Sequence, residues 1–429
     1  MADSAKITAA PTPAAAPVSI RQRVREQYER YPYPPPPRPR QKGFNAFGAM
    51  DYVQHVFWPG RRDLRGLRVL DAGCGTGRTA LAIARAHPEI EVTGIDLSAA
   101  SLATAQAQAR RLRVGRNLTL RQLAIEDAGR LDGQFDYVVA SGVLHHLADP
   151  AAGLQALADL LAPTGGLAIL LYGTYGRQGV YMVQDLIRRL AGTQELTVQI
   201  TITRQLLTRW PSHHPFTPGR YAELGWAGDA GLVDLLLHVQ DRSFTVPEVF
   251  AWLAGASLRL ERFYDPPVYN PLTYLTQPEL VGASAALPPA EQAAVAELLH
   301  GRMAKHMLFA TRATYEPPRV NARGFRLLPL RPKRSPLFDW KRATARRKQQ
   351  DEPLVVREHP FDFQRRTFKL ESWYARVIDE CGGERTARQI LELPEIEASV
   401  PGRAAHEKLL VYVAFMEYLA AQLVLLFEP

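Results

Sequence analysis

The stretch Val69-Leu70-Asp71-Ala72-Gly73-Cys74-Gly75-Thr76-Gly77-Arg78 constrains this chain more than any other. Apolar residues run into an acid, three glycines follow at every second position, and an Ala-rich segment, Thr79 to Ala86, comes next. This order reads as strand, tight turn, helix. Glycine lets the main chain turn sharply and lets a ligand come close to it. The turn then delivers that ligand to the positive end of a helix.

The segments downstream repeat the pattern. A strand at Glu91 to Ile95 ends in Asp96, twenty-one residues after Gly75, where an acid can grip a ribose hydroxyl pair. A third strand, Leu118 to Leu123, leads to Ala124-Ile125-Glu126-Asp127. A fourth, Phe135 to Ala140, ends in Ser141-Gly142-Val143-Leu144-His145-His146-Leu147. A fifth, Gly166 to Leu171, follows the turn Pro163-Thr164-Gly165. Five strand-like runs with helical spacers predict an α/β, doubly wound sheet. A nicotinamide fingerprint has two residues between its second and third glycines, whereas this chain has one and places Asp71 before the turn.

In this order the segments resemble the class I S-adenosylmethionine-dependent methyltransferases, closely over residues 61–175 and less specifically to 315. The resemblance implies a Rossmann-like seven-stranded sheet with S-adenosyl-L-methionine as cofactor. It further implies that Asp71, Gly73 and Gly75 frame the methionyl part, with backbone of Gly73 and Ser141 nearby. Asp96 would bind the ribose, Leu97 would flank the adenine, and Ile125 would offer its main chain to the ring. The family often has Asp where this chain has Ala124, so Glu126 or Asp127 would take over the adenine amine.

At 429 residues and 46% hydrophobic, the chain is long enough for two or three domains with full cores. Cys74 and Cys381 are its only cysteines, which excludes a disulfide framework and fits a cytoplasmic setting. Residues 1–19, Ala- and Pro-rich at their start, are expected to be a disordered tail. The apolar run Leu409 to Phe427 contains Glu417 and Gln422, which argues for a buried helix and a short strand rather than a membrane span. The net charge of +9 is concentrated: between Arg319 and Lys348 stand eleven Lys or Arg and one acid, Asp339. Such a run is either a solvated linker or a contact for nucleic acid or another polyanion; few aromatics interleave with it, which favours the linker.

The expected organisation is a cap over 20–60, a catalytic domain over 61–315, a basic linker over 316–352 and a mostly helical, loosely winged-helix-like domain over 353–429. In the cap, Tyr31-Pro32-Tyr33-Pro34-Pro35-Pro36-Pro37 forces an extended segment. It is a linker or partner ligand, or else it resembles the cap that some methyltransferases fold over a sulfonium cofactor, with Tyr28, Tyr31 and Tyr33 as candidate rings. After the fifth strand comes an insertion over 176–243, with helices at Val180 to Leu190 and Leu224 to Leu237. It is followed by a helix at Val246 to Ala254 and strands at Ser257 to Phe263 and Met307 to Thr311. Such an insertion overlies the carboxyl edge of the sheet as a substrate lid.

Candidate catalytic residues are His145 after the fourth strand, His238 in the lid, and Tyr172 at the tip of the fifth strand. Asp234 and His238 lie four apart on one helix face; with His213, His214, Asp241 and Arg242 they make the lid's polar cluster. No metal site is expected: the His spacing matches no closed zinc site, and Ser141-Gly142 replaces the carboxylate that metal-dependent catechol-type enzymes need. Asp265-Pro266-Pro267 follows the sixth strand, so it is read as a Pro-bounded loop and not as an amino-methylating motif. The resemblance implies methyl transfer to an oxygen or nitrogen of a small molecule or protein. The alternative is a cofactor-binding regulator, or a nucleic-acid-associated methyltransferase, using the linker and the terminal domain.

Overall fold

The alternation of apolar residues in the strands divides the core in two. In the computed structural model of the chain, β1 (Arg68–Ala72), β2 (Glu91–Asp96), β3 (Leu118–Gln122), β4 (Phe135–Ser141) and β5 (Leu161–Gly173) pair in parallel. Leu70, Val138, Ala140, Leu167 and Ile169 point to one buried cluster. Val69, Tyr137, Val139 and Ala168 point to the other. Successive side chains on a strand face opposite ways, so a sheet covered on both faces needs apolar residues at nearly every position.

The structure describes residues 19–36, 46–61, 63–221, 223–320, 324–336, 338, 340, 343–344, 354–357, 367–370, 372–402, 404–421 and 425–428. The tail expected over 1–19 lies outside them except for Ser19, whose side chain caps the first helix by accepting the Gln22 N–H.

The sheet is completed by β6 (Ser243–Phe244), β7 (Leu258–Phe263) and β8 (Lys305–Arg312), in the order β3-β2-β1-β4-β5-β8-β7 with β6 beside the end of β5. β8 runs antiparallel between β5 and β7. This is the expected seven-stranded path, plus a two-residue strand. The chain reverses its winding between β1 and β4, which opens a crevice at the carboxyl ends of the strands. β5 is longer than anticipated because Pro163-Thr164-Gly165 does not precede it. Those residues bulge out between the pairs Phe135↔Leu161 and Tyr137↔Gly166, and the ladder then resumes.

The helices that matter for the site are α1 (Ile20–Arg30), α2 (Met50–Phe57), α3 (Arg78–Ala86), α4 (Ala99–Leu112), α5 (Pro150–Asp159), α6 (Thr174–Ala191), α7 (Leu196–Thr208), α8 (Glu223–Trp226) and α9 (Gly228–Leu236). The lid starts directly from β5 and contains α7, which the sequence reading left out. Its own small core joins Val180, Val183 and Ile187 to Phe216, Leu235 and Leu236. The helices Pro278–Ala285 and Pro289–His300, before β8, were also unforeseen. Each begins with Pro at a position where the missing N–H costs no hydrogen bond, a legible start signal.

The basic segment is not a free tether where it is described. Arg331–Arg334 pairs antiparallel with the last strand, Leu425–Glu428. Leu327, Leu328 and Phe338 are buried, and Lys333 reaches Asp51 of α2 at 2.8 Å. These apolar residues, spaced among the charges, anchor the segment; 321–323, 337, 339, 341–342 and 345–353 lie outside the described residues. The terminal helix Ala405–Ala421 and the strand after it match expectation. Among the described residues no helix is long and apolar enough to cross a membrane. One apolar cluster runs from Met50 and Phe57 of α2 through Leu327 to Phe427, so the boundary near 315 is a shared core. Truncation after Tyr315 should therefore lower the melting temperature of the remaining chain in scanning calorimetry. An unchanged transition would show the terminal unit to be independent.

Candidate functional site

Two carboxylates, one buried and one half-buried, organise the turn after β1. Asp71 is 2% exposed, and its Oδ2 accepts the Ala80 N–H at 2.9 Å, tying β1 to the first turn of α3. Burial pushes its pKa up to about 7. At the end of β2, Asp96 accepts the Gly75 N–H at 2.7 Å on Oδ2 and the Ser98 N–H at 2.8 Å on Oδ1; burial raises its pKa too. Ser98 caps α4 by accepting the Ser101 N–H. The helix cap and the cavity acid are thus separate residues. Gly75 has φ of 53°, and a Cβ there would meet the Tyr33 carbonyl oxygen at 2.5 Å, so the cap's main chain closes directly on the turn.

A cavity of about 280 Å³ lies at this edge. Asp71, Gly73, Gly75, Asp96, Leu97, Ile125, Glu126, Ser141 and Tyr33 all line it, as does Tyr172. Of the two acids offered for the place of the missing Asp, Glu126 faces the cavity, while Asp127 is spent on an ion pair with Arg21 of α1.

The cap is docked by hydrogen bonds. Glu29 of α1 accepts the Ala99 and Ala100 N–H groups at 2.7 and 3.0 Å, satisfying the open end of α4. Gln27 accepts the Val239 N–H at 3.1 Å, and the Thr76 hydroxyl donates to the Pro34 carbonyl at 2.5 Å. The Pro-rich stretch is therefore clamped over the turn as far as Pro36; 37–40 lie outside the described residues. Tyr28 and Tyr33 face the cavity. Tyr31 does not: it packs on Ile200, Leu232 and Val233 of the lid.

The histidines fall differently from expectation. His145 is fully buried, 3.8 Å from the Tyr172 ring, and absent from the cavity wall. Both its ring nitrogens lack a hydrogen-bond partner among the described residues, and burial holds its pKa well below the usual value. Its neighbour His146 takes the cavity position instead. The short 3₁₀ turn Leu144–His146 rotates successive side chains about a third of a circle apart, so only one of the pair can face the crevice. His146 Nδ1 donates to the Gln240 carbonyl at 2.7 Å, which leaves Nε2 as a bare lone pair with no partner among the described residues. Burial lowers the His146 pKa to about 4, so the ring is neutral.

His238 is buried and does not line the cavity. Its Nδ1 accepts the Gln240 N–H at 3.1 Å, so Nε2 carries the hydrogen and donates to the Tyr28 oxygen at 3.1 Å. The Tyr28 hydroxyl in turn donates to Asp234 Oδ1 at 2.9 Å. His146, Asp234 and His238 offer ligand atoms within 4.8 Å of one another, a set that a metal ion could use. Here the Tyr28 hydroxyl joins Asp234 and His238 in one hydrogen-bonded chain, both His238 nitrogens are engaged, and His146 stands outside that chain. Arg177, 1% exposed, lies 3.5 Å over the Tyr172 ring and pairs with Asp241 at 2.9 Å. Tyr181 and Gln184 also donate to Asp241. Arg242 forms an exposed pair with Glu248 at 3.7 Å. His213, His214 and Asp265 line a different cavity.

Residues 70–167 match the family model described as a methyltransferase domain. In sequence this segment is similar to methyltransferase domains. An uncharacterized protein from Synechococcus sp. is 34% identical over 224 residues, 51% of this chain and 53% of that protein. A ubiquinone biosynthesis O-methyltransferase from Alkalilimnicola ehrlichii is 41% identical over 119 residues, 27% of this chain and 44% of that protein. The chain thus spans about half the length of the curated relatives it matches. Among solved structures, PKMT2 from Rickettsia typhi has a TM-score of 0.63 at 14% identity, covering 91% of this chain and 78% of that one. That likeness is one of fold, and it extends well beyond residues 70–167.

Around the first cavity, sequence reasoning missed His146 as the cavity-facing histidine, and the roles of Arg177 and Glu29. The partners of Tyr28 lie 206 and 210 residues away, so no spacing signal could join them. Burial raises the Asp234 pKa from 3.8 to about 7. A raised carboxyl pKa means the folded state holds the proton more tightly. Its stabilising contribution is complete below the unfolded value and is lost as pH rises to about 7. His146 acts oppositely as pH falls below 6.5, so the two must be separated by a variant. In Asp234→Asn, the melting temperature relative to wild type should climb between pH 4 and 7 and level off above it. A pH-independent difference would show that Asp234 titrates as an ordinary carboxyl.

Proposed function

We propose that the chain transfers a methyl group from S-adenosylmethionine to an oxygen or nitrogen nucleophile. The observation that carries this reading is that one cavity, at the reversal point of the sheet, collects Asp71, Gly73, Gly75, Asp96, Leu97, Ile125, Glu126, Ser141 and Tyr33. When bound, the cofactor supplies a methyl group on a positively charged sulfur. The residues fit such a guest. Asp71 and Asp96 offer carboxylate oxygens on the cavity wall for an ammonium and a ribose diol, and Leu97 and Ile125 supply apolar surface for a base. The Tyr28 and Tyr33 rings suit a cation.

His146 is the residue placed to accept a proton from the acceptor. Its ring lines the cavity, and its Nε2 is buried, unprotonated and without a partner among the described residues. The hydrogen bond from Nδ1 to Gln240 holds the ring in that tautomer. A neutral imidazole can take the proton as the nucleophile gains its methyl group. With the cap clamped over the turn, holding the reactants in line can supply much of the rate. The buried free cysteines Cys74 and Cys381 support a reducing, cytoplasmic setting.

The reading is tested with methyl-labelled cofactor and an extract of the source cell, by comparing label in small molecules with label in macromolecules. No transfer to either pool would refute methyl transfer. Asp96→Ala should weaken S-adenosylhomocysteine binding by about 1–3 kcal/mol in calorimetry, the range for losing a hydrogen-bonded buried partner. Unchanged affinity would remove Asp96 from the cofactor site. His146→Asn should slow label transfer about 10²-fold, the lower end for a general base; an unaltered rate in a folded variant would assign His146 to packing.

A further inference from the structure

A second cavity of about 860 Å³ adjoins the first, and Lys305 lines both. Lys305 is the first residue of β8 and stands opposite Tyr172 in the β5–β8 ladder. Directly opposed residues on neighbouring strands bring their side chains onto the same face. Tyr172 lines the first cavity, so Lys305 marks the junction between the two.

The second cavity is built by four separate segments that α6 holds together. A Cβ on Gly176 would meet the Ala304 amide nitrogen at 2.3 Å. The segment carrying Arg302 and Lys305 is therefore pressed against the start of α6. The lid loop that carries Arg220 forms a facing wall, and Tyr264 and Tyr269 supply an aromatic one. Three cations reach this space from two different parts of the fold: Arg220 and Arg302 at the exposed rim, and Lys305 half-buried at the inner end. None of the three has an ion-pair partner among the described residues. Among the described residues Asp265 is the single acid in the lining, which leaves an excess of two positive charges among them.

From this arrangement, and resting on the methyl-transfer reading, we propose that the second cavity is the acceptor site and that it takes a small molecule carrying an oxyanion. Arg220 and Arg302 hold its carboxylate or phosphate, since a guanidinium fork matches such groups and is always charged. The body of the acceptor lies against Tyr264 and Tyr269. Its nucleophile passes Lys305 and Tyr172 toward His146. The positive rim also draws anions to the opening.

The test titrates the full chain, saturated with S-adenosylhomocysteine, with phenyl phosphate and with phenol at constant ionic strength. Phenyl phosphate should bind saturably and at least tenfold more tightly than phenol. The double variant Arg220→Ala/Arg302→Ala should lose at least tenfold in phenyl phosphate affinity while binding S-adenosylhomocysteine as wild type does. Equal binding of the two probes, or wild-type phosphate affinity in the double variant, overturns the assignment. So does an equal loss in the exposed control Arg111→Ala, which would mark an adventitious ion only. A single-stranded RNA held far more tightly by the same two arginines would replace the small acceptor with a macromolecule. Should S-adenosylhomocysteine fail to bind while phenyl phosphate still does so through these arginines, methyl transfer fails and the anion site stands.

Discussion

The carboxylate of Asp96 spans the edge of the sheet, holding the Gly75 N–H with one oxygen and the Ser98 N–H with the other. Through the first bond it sets the glycine turn, and through the second it sets the entry to α4. The Tyr33 carbonyl rests where a side chain at residue 75 would stand. The cap, the turn and the second strand thus meet at one carboxylate, and the cavity exists because they do. Burying that charge is costly unless it is hydrogen-bonded; two main-chain donors meet much of that cost and leave lone pairs toward the cavity.

The cap adds a second layer of the same physics. The first N–H groups of a helix have no partner within it. Those of α4 are shared between Ser98, in sequence beside them, and Glu29, seventy residues earlier. A helix end that could receive a ligand is closed by the protein itself, and α1 is thereby fixed over the first cavity. Tyr28, on the same helix, then reaches Asp234 and His238 of the lid. Cap and lid are joined through this hydroxyl, through Gln27 and through the packing of Tyr31, so the two covers of the cavity depend on each other.

Behind this layer, Arg177 and Asp241 form a pair that is almost fully enclosed. Breaking such a pair strands a buried charge and costs far more than the intact pair contributes. Its place against Tyr172 makes it a support for the inner wall of the cavity. The lid is therefore anchored to the sheet electrostatically, through Arg177 and Tyr172, and covalently, through β5 running straight into α6.

The strands of the sheet, the glycine turn and the nine residues that line the first cavity were legible in the sequence because their causes are local. Alternating apolar residues make a strand, glycine permits the positive φ of the turn, and an acid at a strand end faces the crevice. The terminal helix and strand were legible for the same reason. The choice between His145 and His146 was not, because a single turn decides which ring faces the cavity and adjacent histidines carry no signal of phase. Nor could spacing show that Arg331–Arg334 would pair with a strand some ninety residues later and turn the basic segment into part of a core. The Tyr28–Asp234–His238 chain and the excess of cations at Arg220, Arg302 and Lys305 depend on segments far apart in sequence. Periodicity and turn chemistry act over a few residues and so determined the scaffold and its cofactor edge. Which polar groups met, which were left without a partner, and which cavity they faced was decided when long-range packing brought those segments together.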